Sequence, residues 1–266
     1  MGFGAHIEFS HVSVTYHDGA GELTACRDVS FSVDEGASVA LIGPSGCGKS
    51  TTLHMAAGLL APSEGTVCVN GEPTSKPRQA TAFIPQDLGL LPWKTVLDNA
   101  ALGLVIRKVP KAEARMRALE ALEQVGLEGF ERSYPKELSG GMRQRLSLAR
   151  ALAMDVDLLL MDEPLSAIDA LLRESLQDML LELWRKRAHT QVLVTHSIEE
   201  AVYLGQRIIV FSERPGHIVA EIDNPDVGKP GRRDSESFSQ LCLEVRRALA
   251  AEAGNAAAEA CEEASR

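Results

Sequence analysis

Two patterns recur along the chain, short apolar runs and alternation of apolar with polar residues, and both are typical of β-strands. Residues 7–16, IEFSHVSVTY, alternate and place Val12, Val14 and Tyr16 on one predicted face. The stretch CRDVSFSV repeats the alternation, and GAGEL between the two predicts a turn. Further short runs predict more strands: SVALIG, GTVCVNG, ATAFIPQ, LLLMDEP, TQVLVTH, RIIVFS and GHIVAEI.

Segments with helical spacing separate these strands. GKSTTLHMAAGLL predicts a helix that ends near Gly58, SIEEAVYLG predicts another, and residues 95–154 predict a mostly helical block. In LLRESLQDMLLELWRKR one stripe carries the apolar residues Leu172, Leu176, Met179, Leu180 and Leu183. Strands that alternate with helices predict an α/β fold whose sheet is largely parallel and covered on both faces.

Composition divides the chain into three parts. Residues 1–221 predict a single α/β domain, with the helical residues 88–155 inserted into its sheet. Residues 222–250 contain a charged, Pro/Gly-rich link and a small helix with Leu241, Val245 and Leu249 at helical spacing. The Ala/Glu-rich residues 251–266 have little to bury, so we expect a frayed helix or a disordered tail there.

Composition and charge restrict the functional classes. Of 266 residues, 45% are hydrophobic and 24% charged, which is ordinary for a globular protein. The net charge of −10 disfavours a nucleic-acid partner. The five cysteines are scattered without a CxxC pair, so we expect a reduced, cytosolic chain without a structural metal site. No signal segment or apolar run of about 18 residues is visible, so a role at a membrane requires a partner that holds the protein there.

GPSGCGKS, residues 43–50, matches the phosphate-binding pattern G-x-x-x-x-G-K-[ST]. Gly43 and Gly48 let the backbone bend around phosphate oxygens, Lys49 can reach the β- and γ-phosphates, and Ser50 can hold Mg²⁺. A chance match is the alternative, and the position of the motif between an apolar strand and a helix argues against it.

Two carboxylates end the predicted strand LLLMDEP. Successive strand residues point to opposite sides, so Asp162 and Glu163 cannot do the same job. Asp162 is suited to binding Mg²⁺, and Glu163 is suited to orienting and deprotonating an attacking water. The alternative is an acid pair that caps the next helix.

Two further polar residues end predicted strands. His196 ends TQVLVTH, where it can bond to a γ-phosphate and hold the water, and a surface histidine is the alternative. Gln86 ends ATAFIPQ, where its amide can ligate Mg²⁺ or contact the water. Taken alone, Gln86 is a weak signal.

A second predicted helix start, LSGGMRQR at residues 138–145, also has the features of an anion site. Ser139, Gly140 and Gly141 lie where exposed backbone N–H groups attract negative charge. A flexible helix start is the alternative. One nucleotide needs only one phosphate loop, so the second raises the question of whose anion it binds.

In combination, these residues resemble the ATP-binding-cassette (ABC) ATPases. The order matches from Tyr16 through GPSGCGKST, Gln86, LSGGM, MDEP and SAID to His196, and the resemblance runs from about residue 7 to residue 221. It implies a P-loop NTPase fold with N-terminal antiparallel strands beside a mostly parallel core sheet, and hydrolysis of ATP with Mg²⁺. Met142 and Ile168 depart from the commoner Gln and Leu, but both changes are conservative in bulk.

The resemblance assigns nucleotide contacts within one chain. Tyr16 is implied to stack on adenine, Gln86 to couple the nucleotide state to a partner, and His196 to complete the site. The residues implied to wrap the triphosphate are Gly43, Pro44, Ser45, Gly46, Cys47, Gly48, Lys49, Ser50 and Thr51.

The resemblance also assigns contacts between two chains, which answers the question of the second loop. Ser139, Gly140 and Gly141 are implied to bind the γ-phosphate of ATP held by a second copy of the chain. Residues Ser166 to Asp169 are implied to line the dimer seam. Two copies arranged head to tail then enclose two nucleotides.

The chain is similar to the separate ATPase subunits of ABC importers, since it has one phosphate loop and no predicted membrane span. LGLLPWKTVLDNAALGL and SERPGHIVAEI resemble the group that serves nitrate, sulfonates, taurine and related small anions. This implies a peripheral protein on the cytoplasmic face of the membrane, with transmembrane permease subunits as partners and an extracytoplasmic solute-binding protein acting indirectly. The alternatives are an importer for metal chelates, vitamins or amino acids, and a soluble ABC protein of DNA repair or translation.

An apolar run, Leu90 to Trp93, lies in a predicted loop after Gln86. One hypothesis is a groove edge that receives a short helix from the membrane subunit. Ordinary packing of the helical block is an equally good interpretation.

Overall fold

The computed structural model describes residues 4–18, 21–166 and 168–263. Its strands are β1 (Ile7–Asp18), β2 (Gly21–Val33), β3 (Ser38–Ile42), β4 (Glu64–Val69), β5 (Glu72–Pro73), β6 (Thr81–Ile84), β7 (Leu158–Asp162), β8 (Thr190–Thr195), β9 (Arg207–Phe211) and β10 (Ile218–Asp223). Its α-helices are α1 (Lys49–Ala56), α2 (Val96–Ala100), α3 (Leu102–Ile106), α4 (Lys111–Gln124), α5 (Gly140–Leu152), α6 (Ala170–Arg187), α7 (Ile198–Leu204) and α8 (Glu236–Glu263). The patterns predicted every strand except β5, whose two residues are too few to alternate. Among the described residues, no helix combines the length and the hydropathy of a membrane-spanning segment.

The central sheet has six strands in the order β10-β9-β3-β8-β7-β6. All neighbours are parallel except the edge pair β10 and β9. The register pairs Ile42 with Thr195 and Asp162 with Val194, so the carboxyl ends of β3, β7 and β8 are level. In parallel sheets this edge carries ligand sites, and the predicted phosphate loop and both predicted carboxylates lie there.

Alternation along the central strands fills two separate cores. Val39 and Leu41 of β3 pack toward α1 and the N-terminal strands, in a core that includes Leu53. Ala40 and Ile42, the intervening residues, pack toward the remaining helices. Both sets are buried. The central residues of these strands are apolar because both faces of the sheet are covered, and this confirms the predicted largely parallel α/β sheet.

The N-terminal strands form an antiparallel sheet in the order β2-β1-β4-β5. A bulge at His11, where φ is 51°, shifts the register of β1. Val12 and Val14 are both buried, but Tyr16, predicted on the same face, follows a further register shift and is 41% exposed. The shifts therefore turn the last of the three predicted residues out of the core.

Helices α2 to α5 form the helical block between β6 and β7, and they pack on one another through small and aliphatic residues. Asn99, fully buried, braces the loop before α2. Its side chain accepts a hydrogen bond from the N–H of Leu91 at 2.8 Å and donates to the carbonyl oxygens of Leu91, Lys94 and Thr95 at 2.9–3.1 Å. The loop that contains Trp93 is thus held in shape while Trp93 itself is 71% exposed.

Two consecutive arginines fasten the segment before α8 to the body of the protein. Arg232 is 4% exposed and donates to Asn224 Oδ1 at 2.7 Å. Arg233 donates to Asp178 Oδ1 on α6 at 2.6 Å and to the Tyr203 hydroxyl on α7 at 2.8 Å. The link expected after residue 221 is therefore tied to the helices that follow β7 and β8.

Helix α8 contains the predicted apolar residues Leu241, Val245 and Leu249. Val245 is fully buried, and the other two pack partly buried against the core. The backbone of α8 is helical as far as Glu263, into the segment where we expected a frayed helix or a disordered tail. The division of the chain at residues 221 and 250 stays a prediction.

Candidate active site

The predicted phosphate loop joins β3 directly to α1. Gly46 and Gly48 have φ angles of 79° and 94°, a left-handed conformation that glycine adopts without strain. A Cβ on Gly43 would lie 2.7 Å from the carbonyl oxygen of Phe211, so this close approach requires glycine. Gly48 caps α1 without a side-chain hydrogen bond. The first N–H groups of α1 are therefore available to an anion, as a phosphate cradle requires.

Lys49 opens α1 and is only 6% exposed. Its ammonium group donates hydrogen bonds to the carbonyl oxygens of Gly43 at 2.8 Å and Pro44 at 2.6 Å, and it lies 3.4 Å from Cys47 Sγ. All three partners are neutral. A buried cation whose hydrogen-bond partners are all neutral keeps positive potential at the loop, which suits a polyphosphate.

Ser50 and Asp162 meet at the base of this loop. The Ser50 hydroxyl donates to Asp162 Oδ1 at 3.0 Å, and Asp162 is 4% exposed. Burial raises the pKa of the Asp162 carboxyl above its ordinary value, and the nearby Glu163 charge adds to the rise, while the Ser50 hydrogen bond opposes it. A divalent cation would favour the charged form of Asp162. A hydroxyl and a carboxylate are also the oxygen donors that Mg²⁺ prefers, so this pair fits Mg²⁺.

Glu163 is the point where the predicted catalytic residues meet. Its Oε2 lies 3.4 Å from Gln86 Nε2 and 3.4 Å from His196 Nδ1. The three residues come from the ends of three different strands, β6, β7 and β8. Within the described residues, the Gln86 amide donates to Glu163 and not to Ser50 or Asp162. Its predicted contact with the attacking water is therefore better supported than its predicted role as a Mg²⁺ ligand, and both stay predictions.

The backbone of Glu163 is strained. Its φ of 48° lies in the left-handed region, which costs a non-glycine residue about 1–2 kcal/mol. Hydrogen bonds on both sides hold this conformation. The Glu163 N–H donates to Val194 O at 2.9 Å, and the Ser166 hydroxyl donates to Glu163 O at 3.1 Å. The two carboxylates have different partners, since Asp162 accepts from Ser50 whereas Glu163 lies beside Gln86 and His196.

Tyr16 lies beside the phosphate loop. Its hydroxyl is 3.4 Å from Thr51 Oγ1 on α1, and its ring is part of the 41% exposed side chain. The structure thus brings the end of β1 to the helix that begins the phosphate site. An exposed aromatic ring at this position has a free face for a planar base.

The second predicted anion site is on the outer surface. Ser139 is exposed and caps α5, and its hydroxyl accepts a hydrogen bond from the N–H of Met142 at 3.3 Å. Asp169 caps α6 in the same way, accepting from Leu172 N–H at 3.1 Å, and it is exposed as well. The recorded hydrogen bonds of Ser139 stay within α5. The chain therefore does not join this helix start to its own phosphate loop by a hydrogen bond in the part that the structure describes.

Comparison with known proteins fits this geometry. The family model described as ABC transporter matches residues 26–166. The taurine import ATP-binding protein TauB of Rhizobium johnstonii is 45% identical over 91% of this chain and 96% of its own length. The aliphatic sulfonates import ATP-binding protein SsuB of Bacillus thuringiensis subsp. konkukian is 42% identical over 90% of this chain and 94% of its own. The chain belongs to the ABC transporter family.

Solved ABC cassettes share the fold. The dimeric structure of the bacterial ABC transporter cassette MJ0796 has a TM-score of 0.76 and 34% identity over 82% of this chain and 98% of its own. A second structure, the dimeric post-hydrolysis state of MJ0796 bound to ADP and Pi, has a TM-score of 0.75 and 33% identity over the same shares. These likenesses confirm the predicted P-loop NTPase fold and identify the protein as an ABC ATPase that binds and hydrolyses ATP.

Gln144 is a functional candidate of this ABC ATPase that the sequence patterns did not reveal. It is 2% exposed on α5, and its Nε2 donates to the carbonyl oxygens of Pro164 and, at 3.4 Å, Glu163. It thereby joins the helix that begins at Ser139 to the turn that carries Glu163. The signal was present, because Gln144 is a polar residue in line with the buried Leu148 and Ala151 on one helical face.

Of the predicted seam, Ser166 holds the turn after Glu163, Ile168 is 4% exposed and Asp169 caps α6. Ala167 lies outside the described residues. The roles assigned to these positions, and to the other predicted site residues, stay predictions.

Proposed function

We propose that this ABC ATPase is the ATP-hydrolysing subunit of an importer for a small anionic solute, of the class that includes taurine and aliphatic sulfonates. The proposed role in ATP hydrolysis rests on one observation. Gln86 and His196 both lie beside the Glu163 carboxylate, next to a phosphate loop. The solute class is supported by the names of the relatives TauB and SsuB.

In this proposal one chain supplies most of the nucleotide site. The backbone of residues 43–51 wraps the triphosphate, Lys49 neutralises phosphate charge, and the Tyr16 ring stacks on adenine. Ser50 and Asp162, with Gln86 nearby, hold Mg²⁺. When bound, that ion neutralises charge that develops on the phosphate oxygens.

Glu163 is the general base. Its carboxylate accepts the proton of the attacking water, while Gln86 and His196 fix the direction of the carboxylate and of the water. The strained backbone at Glu163 supports this assignment, because left-handed non-glycine residues cluster at functional sites.

A second copy of the chain completes the site. Ser139, Gly140 and Gly141 of one copy contact the γ-phosphate bound by the other, and Asp169 lies at the seam. The outward position of both helix caps supports this arrangement, as does the dimeric state of the MJ0796 structures. Each of the two pockets then combines the phosphate loop of one copy with the α5 start of the other.

Transmembrane permease subunits hold the dimer at the cytoplasmic face of the membrane, and a solute-binding protein acts on the other side. The loop of residues 90–93 is the proposed contact. Asn99 fixes its shape, and Trp93 presents a large, exposed apolar side chain that a short helix of the permease can cover.

Replacement of Glu163 by Gln tests the hydrolytic proposal. The amide keeps the size of the side chain but cannot accept the proton. We expect turnover to fall by roughly 10²- to 10⁴-fold, the usual value of a general base. Binding of Mg-ATP should persist, and ATP should stabilise the dimer on size-exclusion chromatography.

Near-normal hydrolysis by Glu163→Gln would remove Glu163 from the mechanism. The solute class needs a separate experiment, uptake of labelled taurine and alkanesulfonates by the complete transporter. Uptake of neither, with intact ATP hydrolysis, would contradict the proposed solute class and leave the ATPase assignment standing.

A further inference from the structure

A ring of hydrogen bonds surrounds His196 at the junction of β8 and α7. The hydroxyl of Thr195 donates to Glu200 Oε2. The N–H of Ser197 donates to the Thr195 hydroxyl oxygen at 3.1 Å, and the N–H of Glu200 donates to the Ser197 hydroxyl oxygen at 3.3 Å. The residues immediately before and after His196 are therefore tied to each other and to one carboxyl group.

Glu200 lies in the first turn of α7, which Ser197 caps, and its carboxyl group is buried. It is 3% exposed, and its Oε1 has no hydrogen-bond partner in the part of the chain that the structure describes. Burial raises the pKa of this carboxyl. A buried polar atom without a partner costs about 1–3 kcal/mol, so stability alone does not favour a carboxyl group here.

Helix capping also fails to account for Glu200. In a capping box, the acidic residue three positions after the cap bonds to the backbone N–H of the capping residue. Here the N–H of Ser197 bonds to Thr195 instead. Glu200 therefore acts on the hydroxyl that precedes His196, and the rest of the ring carries its effect to the residue that follows.

We propose that Glu200 is a positioning residue, which acts through Thr195 to fix the backbone on both sides of His196 and so holds the imidazole against the Glu163 carboxylate. The inference rests on the proposed role of His196 in hydrolysis. His196 itself is mostly exposed, with 61% of its side chain accessible, so its own packing does not fix it. The hydrogen-bond ring restrains the His196 backbone instead, through the buried residues Thr195 and Glu200.

The test compares variants that keep or break the ring. Thr195→Val keeps the size of the side chain and removes the hydroxyl, and Glu200→Leu removes the acceptor. Both should lower kcat by roughly 10- to 100-fold, the effect of a small misplacement of a reacting group, with KM for ATP within about threefold of the wild-type value. Glu200→Gln keeps an oxygen acceptor for Thr195 and should retain kcat within about threefold.

Thr190→Val is the matched control. Thr190 is at the opposite end of β8, fully buried, and its hydroxyl donates to Ala5 O at 2.6 Å. This variant should lower the melting temperature at least as much as Thr195→Val but leave kcat unchanged. If Glu200→Leu does not fold, Thr195→Val and Glu200→Gln decide the question. A normal kcat in folded Thr195→Val overturns the proposal.

A double-mutant cycle identifies the path of the effect. If Thr195 acts through His196, then adding Thr195→Val to His196→Ala should produce no further loss of kcat. Independent, multiplicative losses would overturn the positioning role while leaving His196 in the mechanism. If His196→Ala alone hydrolyses ATP at the wild-type rate, the proposed role of His196 fails, and this inference fails with it.

Discussion

Two helix starts in this chain attract anions by the same physics but have different surroundings. The start of α1 lies within the loop after β3, capped by a glycine and followed by the buried Lys49. The start of α5 lies on the helical block, capped by the exposed Ser139. One start has its cation and its neighbouring carboxylates in the same chain. The other offers N–H groups and a hydroxyl to the outside.

The difference matters because a helix start is weak by itself. The charge interaction at an exposed helix terminus is worth about 0.3–1 kcal/mol, too little to select one anion. At α1 the loop backbone and Lys49 add to it, so one chain can bind a nucleotide. At α5 the described residues form no phosphate loop, although the Arg143 guanidinium donates to the carbonyl oxygen of Leu138 at 2.8 Å. We therefore propose that this start acts on a phosphate held by another chain.

The largest effect should follow from Lys49→Ala, which removes the cation of the α1 start. We expect ATP affinity and hydrolysis each to fall by roughly 10³-fold, since the remaining N–H groups must bind the phosphate charge alone. Titration with a fluorescent ATP analogue measures the affinity. Lys76→Ala, at an exposed lysine, is the control and should change neither quantity. Equal affinities of Lys49→Ala and the wild-type protein would show that the α1 start does not depend on its cation.

Ser139→Ala should separate binding from turnover. We expect hydrolysis to fall by about 10- to 100-fold, because one donor to the transferred phosphoryl group is lost, while the single chain keeps its ATP affinity. The matched control is Thr95→Ala, which removes the cap of α2, where Asp98 N–H is 3.1 Å from the hydroxyl oxygen. It should cost about 1 kcal/mol of stability, as Ser139→Ala does, without the loss of turnover.

A parallel loss of affinity in Ser139→Ala would place the α5 start in the pocket of its own chain. Both helix starts would then bind the nucleotide of the same chain.

Mixing the two defective proteins gives a smaller, positive effect. In a heterodimer of Lys49→Ala and Ser139→Ala chains, one pocket combines both defects and the other has none. With random pairing and independent pockets, an equimolar mixture should recover roughly a quarter of the wild-type hydrolysis rate. Absence of any recovery, with heterodimers confirmed by mass spectrometry, would contradict the shared pockets.

The smallest effect near neutral pH should be a loss of stability of the whole fold as the pH is lowered. This effect does not distinguish the two helix starts. His189 is 3% exposed, and burial, with the nearby Arg187 charge, lowers its pKa from 6.5 to about 4. The unfolded chain therefore binds a proton below pH 6.5 that the folded chain refuses until about pH 4. As the pH is lowered from 6.5 to about 4, the free energy of unfolding should fall by about 1.4 kcal/mol per pH unit, or roughly 3 kcal/mol in all.

Urea denaturation at several pH values measures this slope. His189→Gln should remove it, whereas His17→Gln, at an exposed histidine, should not. A slope that persists in His189→Gln would assign the acid sensitivity to other groups.

The sequence predicted most of the sheet because alternation and apolar runs reflect burial directly. It did not predict the bulge at His11, since a single unpaired residue leaves the polar and apolar pattern of β1 almost unchanged. It did not predict β5 either, because its register with β4 depends on pairing rather than on residue type.

The site was predictable where spacing alone carries the chemistry. Gly43 and Glu163 directly follow strand ends and Lys49 opens the helix after the first of them, so parallel pairing brings all three to one edge. Gln144 and Glu200 were not predicted, because their roles arise from contacts between separate elements or across a short turn. Nothing in the order of residues states which carbonyl or hydroxyl a buried polar group will reach.

The contact of Gln144 with the carbonyl oxygens of Glu163 and Pro164 links two mechanical units, the helical block and the central sheet. A rotation of the block relative to the sheet must either stretch this link or pull the Glu163 turn along with it. If the proposed permease contact at residues 90–93 applies a force, Ser147 and Arg150, which donate to the carbonyl oxygens of Leu88 and Gly89, connect this loop through α5 to the Glu163 turn. In this proposal a movement of the helical block alone is enough to displace Glu163.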